Sequence, residues 1–168
     1  MKMLIIVLFL FFSTNNLFAQ SNKYQVSLNI NYSKMDLFTG CSFINIKNKI
    51  DHEFSIYTGT IRTFFQGAFF PMIQYSLNYK LINKSRFSFS PLLSMNLAMI
   101  NLKTTKTNIH LYPEILMGYK ISYGKKIGII HKSSIGLLSE FFQTQLNETK
   151  WASTFSYHFN IGVYYAIN

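Results

Sequence analysis

Cysteine, proline, tryptophan and acidic residues are all scarce in this chain of 168 residues. The single cysteine, Cys41, excludes an intrachain disulfide and any paired-cysteine metal site. Charged residues make up 13% of the chain, against roughly 25% in soluble domains. That deficit excludes an ordinary cytoplasmic enzyme. No G-x-G-x-x-G or G-x-x-x-x-G-K-[ST] run occurs, so nucleotide chemistry has no support. His52, His110, His131 and His158 show none of the spacings at which side chains converge on a metal. No catalytic, cofactor or metal site is therefore expected. After the N-terminal segment no apolar run reaches about 18 residues, which excludes helical membrane spans there.

What is present is aromatic and apolar. Seventeen Phe and eleven Tyr, with 49% hydrophobic residues, argue against disorder. At the N-terminus, Lys2 precedes an apolar run from Met3 to Phe12, then a polar stretch from Ser13 to Asn16 and Leu17-Phe18-Ala19-Gln20. This pattern predicts a secretory signal peptide over residues 1–19, cut after Ala19; the run is shorter than the roughly 20 residues of a membrane-spanning helix. Residues 20–168 are long enough for one domain. Losing Lys2 leaves 15 basic against 6 acidic residues, a formal charge of +9. No cysteine lies at the new N-terminus to carry a lipid, and Cys41 is expected to act as a small apolar side chain.

The rest of the chain alternates with a period of two. Tyr24, Val26, Leu28, Ile30 and Tyr32 are separated by Gln25, Ser27, Asn29 and Asn31, and the same alternation runs through 71–81, 87–99, 109–123 and 151–167. In these five segments 31 of 35 positions in one phase are hydrophobic, against only 8 in the phase between them. Such alternation predicts strands with one apolar and one polar face. Segments near 38–47, 53–63 and 127–142 are strand-like with uncertain phase. In the last, Ile127 and Ile129 share a phase with His131 and Ser133, which suggests a bulge or a phase change. The count is eight strands. Short turns are expected near 48–51, 83–85 and 124–126, with longer loops near 33–37, 64–70, 103–107 and 143–150.

Composition indicates what the apolar phase faces. A soluble barrel of the lipocalin kind would turn it inward and cover its outside with charge. Here the polar phase is mostly Ser, Asn, Gln, Gly and Thr, which suits an enclosed, hydrogen-bonded interior. Several segments exceed the 9–11 residues or so of a tilted transmembrane strand. Tyr24, Tyr32, Tyr79, Tyr123, Trp151 and Tyr165 stand at the ends of the apolar face, as interfacial aromatic belts do. On these patterns the mature region from about Tyr24 to Asn168 resembles the small eight-stranded outer-membrane β-barrels of Gram-negative bacteria. The resemblance implies an all-β fold: a single antiparallel up-and-down barrel of about eight strands, transmembrane, exported to the outer membrane, with its termini and tight turns periplasmic. Such barrels usually end in an aromatic residue, and here Asn168 follows Ile167. Pro71, Pro91 and Pro113 fall within strands, where rim bulges are expected to absorb their missing donors.

Eight strands enclose a space that side chains fill, so no open diffusion pore is expected. The inward phase holds Lys80, Glu114, Lys120, Lys132 and His158, together with His110. Because a buried carboxylate needs a partner, these residues predict an interior charge cluster in which lysines neutralise Glu114. Basic residues gather at the tight turns (Lys47, Lys49, Lys84, Arg86, Lys125, Lys126), where they can reach lipid phosphates; no basic stripe suggests nucleic acid. The hydrophilic loop 103–108 offers a contact surface for a protein or envelope partner. The expected role is structural or surface-interaction, with the outer-membrane bilayer as partner. Two alternatives stand: a secreted lipocalin-like barrel holding an apolar ligand, and a membrane-embedded lipid-modifying enzyme that uses His110 or His158.

Overall fold

A computed structural model describes residues 23–47, 49–103, 107–143 and 149–167. The segment read as a signal peptide and the centre of the 103–108 loop lie outside these residues. Among them run β1 (Lys23–Ser33), β2 (Leu37–Lys47), β3 (Ile50–Gly59), helix α1 (Thr60–Gln66), β4 (Pro71–Tyr79), the two-residue β5 (Ile82–Asn83), β6 (Phe87–Lys103), β7 (Thr107–Gly124), β8 (Ile127–Gln143) and β9 (Thr149–Ile167). Every long strand pairs antiparallel with its neighbours, and two closures complete a ring of eight: β1 with β9 and β4 with β6.

The register fixes the geometry of that ring. Following paired residues from Lys23 through Ile46, Asp51, Asn78, Leu92, Gly118, Ser134 and His158 returns to β1 at Ser33, a stagger of 33 − 23 = 10 residues. With about 3.3 Å per residue and about 4.8 Å between strands, ten residues of stagger over eight strands correspond to a tilt of about 41°. An 11-residue strand such as β1 then rises about 27 Å, close to the ~25 Å apolar band of a transmembrane barrel.

The apolar phase points outward. Leu28, Met117, Ile127 and Leu137 are each about two-thirds exposed, while Ser27, Asn29, Ser55 and Asn78 between or across from such positions are buried. That arrangement is opposite to a soluble barrel around an apolar ligand, which needs the greasy phase inside. No helix among the described residues is long and apolar enough to cross a membrane.

Three local expectations need correction. The strand expected over 53–63 ends at Gly59, and the chain turns into α1, because Asp36 of the β1–β2 turn caps the helix in trans. Its Oδ1 accepts from the backbone N–H of Ile61 at 3.2 Å and its Oδ2 from that of Arg62 at 3.1 Å. The bulge or phase change expected in β8 is absent: pairing with β9 is continuous from Ile127↔Tyr165 to Gln143↔Thr149. His131 and Ser133 simply face outward and bond each other at 3.1 Å, with the His131 ring against Phe159 at 4.7 Å.

The prolines are accommodated in three ways, only one of them a bulge. Pro71 opens β4. Pro91 lies beside a bulge, since β6 pairs Leu92 with Asn78 and then Phe89 with Ile82, so that three residues, 79–81, face two, 90–91. This bulge turns Leu81 and Ile82 both to the outside. At Pro113 the β7–β8 pairing stops at Leu111↔Phe141 and resumes at Glu114↔Leu138, skipping the proline without a change of register.

Two apolar clusters close the interior. At the loop rim Phe38, Tyr57, Phe70, Met72, Ala98 and Ile100 form a plug, with Met35, Ala68 and Tyr112 packed on it. At the tight-turn rim Ile44, Ile130 and Tyr164 pack together with Ile46. β6 to β9 rise past the ends of β1 and β4, which leaves an edge of β9 beyond its pairing with Ser33. Lys34 guards that edge, its Nζ donating to Thr154 Oγ1 at 2.7 Å and to the Phe155 carbonyl at 3.3 Å.

Candidate functional site

Between the two plugs lies the polar lumen, and the inward phase of every long strand contributes to it. Glu53 of β3 is completely buried. It accepts from Lys120 Nζ of β7 at 3.2 Å, from Lys132 Nζ of β8 at 2.5 Å and from Asn78 Nδ2 of β4 at 3.5 Å. β3 and β8 stand four places apart in the eight-membered ring, so the Glu53–Lys132 pair crosses the lumen.

Glu114 of β7 forms a second cluster. Its Oε1 accepts from Ser156 Oγ at 2.5 Å, and its Oε2 from Asn96 Nδ2 at 2.9 Å and His158 Nε2 at 2.8 Å. Asn31 Nδ2 faces His158 Nδ1 at 2.9 Å; that nitrogen is then the acceptor, and the ring proton sits on Nε2 facing Glu114. The lumen thus carries two carboxylate clusters, Glu53 with Lys120 and Lys132 and Glu114 with His158, Ser156 and Asn96.

The five residues expected to form one interior cluster therefore fall into three groups. Lys120 and Lys132 join Glu53. His158 joins Glu114, which has no lysine partner in its cluster. Lys80 sits near the tight-turn rim, 2.7 Å from Asp51. The lysine partners expected for Glu114 are corrected to His158, Ser156 and Asn96, because Glu114 pairs with Asn96 of β6 and reaches past β8 to Ser156 and His158 of β9, while the lysines lie further down β7 and β8. Glu53 was missed because its segment had no clear phase; its pairing with Ser76 of β4 puts it on the inner wall.

The chemistry available here is cohesive. Ser156 donates its hydroxyl hydrogen bond to Glu114 Oε1 and not to the His158 ring. His110, at the loop rim, is held by Glu140 at 3.0 Å and stacks on Phe142 at 5.6 Å. The void among Asn31, Gln74, Lys132, His158 and Asn160 measures about 10 Å³, room for about one water. Among the described residues no three His, Cys, Asp or Glu side chains come together as metal ligands.

These features define a class: a closed eight-stranded antiparallel barrel, apolar outside and polar within. No protein-family model matches the chain, and no curated protein matches it in sequence. Solved structures share its fold. The N-terminal β-barrel domain of Pseudomonas aeruginosa OprF superposes with a TM-score of 0.57 at 10% identity, covering 87% of this chain and 98% of that one. A major outer membrane protein from Thermus thermophilus gives 0.55 at 8% identity over 88% and 100% of the two chains. The outer membrane protein AlkL, solved in lipid bilayers, gives 0.55 at 9% identity over 92% and 96%. At these identities the likeness is one of fold.

Proposed function

We propose that this protein is an outer-membrane β-barrel with a structural or surface-interaction role, delivered by a cleavable signal over residues 1–19 and spanning the bilayer with its tight turns toward the periplasm. The observation that carries this reading is the outer face. Large apolar side chains from every long strand lie exposed around the whole ring, whereas a soluble monomer rarely exposes an apolar patch beyond about 300–600 Å². Tyr79, Tyr123 and Tyr165 rim this band at the tight-turn end, and Tyr32 and Trp151 toward the loops, in keeping with aromatic girdles at a bilayer's two interfaces. The filled lumen supports a role other than solute diffusion. In this reading the loop rim is the part that meets a protein or envelope partner.

The test is fractionation of cells expressing the untagged protein, followed by gel mobility of the membrane fraction with and without boiling. Recovery in detergent-extracted outer membranes with a heat-dependent mobility shift is the expected result. Recovery in the periplasm or medium without detergent would overturn it.

A further inference from the structure

The tight-turn rim holds a feature that the lumen network does not use. A cavity of about 230 Å³ opens there, floored by Ile46 and Tyr164 and walled by Lys23, Lys80, Lys84, Arg86, Lys120 and Lys125. Asp51 is the one carboxylate among its lining residues. It is engaged by Lys80 at 2.7 Å, and Lys120, at the inner end, reaches Glu53 at 3.2 Å. Counting Glu53 as well, six cations meet two carboxylates, a surplus of four positive charges. Ser88 and Ser122 add hydroxyls to the wall, 2.6 Å apart.

Size and charge together select the ligand. The cavity is smaller than the roughly 300–1,000 Å³ that drug-sized molecules occupy and several times the ~30 Å³ share of one water. A neutral guest gains nothing from the surplus charge, and a cation is repelled. An oxyanion gains from a field focused by low-dielectric walls, from the guanidinium fork of Arg86 and from the serine hydroxyls. The six cations converge on one concavity, while Lys49 and Lys126 of the same rim do not line it. A charge collar serving only to meet a flat lipid surface has no need of that convergence. We propose that this vestibule binds a phosphate-type oxyanion, either free or as the headgroup phosphate of an anionic lipid.

The experiment uses the refolded protein in a neutral maltoside detergent, titrated calorimetrically with inorganic phosphate at constant ionic strength. One-to-one binding is expected. Replacing Lys84→Gln and Arg86→Gln together should weaken it about tenfold or more through lost charge-assisted hydrogen bonds. Lys49→Gln with Lys126→Gln, which removes the same charge outside the cavity, should leave it within about twofold because distant exposed charges are screened. Should the first pair impair folding, Lys125→Gln alone is compared with Lys126→Gln. In a second arm, nanodiscs of phosphatidylcholine with and without phosphatidylglycerol are compared by thermal unfolding. Stabilisation by phosphatidylglycerol that is lost in the Lys84/Arg86 variant, without phosphate binding in detergent, identifies the headgroup as the source. Absence of binding in both arms, or equal weakening by the two double variants, overturns the proposal.

Discussion

Glu53 on β3 and Lys132 on β8 meet at 2.5 Å across the full width of the barrel, with the carboxylate completely buried. A pair of this kind resists analysis as a simple gain, because desolvating both charges opposes their attraction. Breaking it is another matter. Glu53→Gln leaves Lys120 and Lys132 buried without their shared counter-charge, and a loss of about 3–5 kcal/mol of unfolding free energy is expected. The double variant Glu53→Gln/Lys132→Met should recover part of that loss. Urea unfolding in lipid vesicles measures both, and a Glu53→Gln protein as stable as the parent would show that the crossing contributes nothing.

The second cluster allows a milder test. His158→Ala removes a donor to Glu114 and an acceptor for Asn31, both of them buried. A cost of about 1–3 kcal/mol is expected from the groups left unpaired. Because Ser156 and Asn96 still hold Glu114, the variant should keep its heat-modifiable folded form on gels.

Gly40 faces Tyr57 across the β2–β3 ladder. A Cβ at position 40 would stand 2.1 Å from the Ile56 carbonyl oxygen and 2.6 Å from the Tyr57 ring. Gly40→Val should therefore destabilise the barrel by about 1–3 kcal/mol or more through overpacking. Adding Tyr57→Ala should not rescue it, since the backbone oxygen stays in place; recovery of the parent unfolding midpoint in the double variant would count against this account.

Asp36 holds α1 from another loop. Asp36→Ala should cost about 0.5–2 kcal/mol, the usual worth of a helix cap, and the effect should be local. Limited trypsin digestion is the readout, because Arg62 lies in the first turn of α1 and should be cut faster once the cap is gone. Unchanged cleavage would mean that the plug, not Asp36, holds the helix.

Leu28 and Cys41 face each other on the outside of the β1–β2 ladder, both exposed. If bilayer covers them, Leu28→Arg should cost about 2–4 kcal/mol in vesicles. Cys41 should then react with a lipid-soluble maleimide and resist a charged, water-soluble one until detergent is added. Fast labelling by the charged reagent in vesicles would place this face in water.

The eight-strand plan and the inward and outward assignment of five segments were legible in the chain, because period-two patterning needs no knowledge of neighbours. The same holds for the polarity of the lumen, since Ser, Asn and Gln recur in one phase from Gln25 to Asn160. Which inner residues meet was not legible. Glu53 was hidden by a segment of ambiguous phase, and Glu114 looked like the acceptor for lysines that in fact cross to Glu53. Likewise α1 depends on an Asp36 carboxylate 25 residues before Ile61, a partner no local pattern indicates. The apolar face of each regular strand follows from residue order alone, because alternation is a property of the backbone pleat. The charge pairing arises only when the ring closes, because the partners are set by its ten-residue stagger, a property of all eight strands and of none singly.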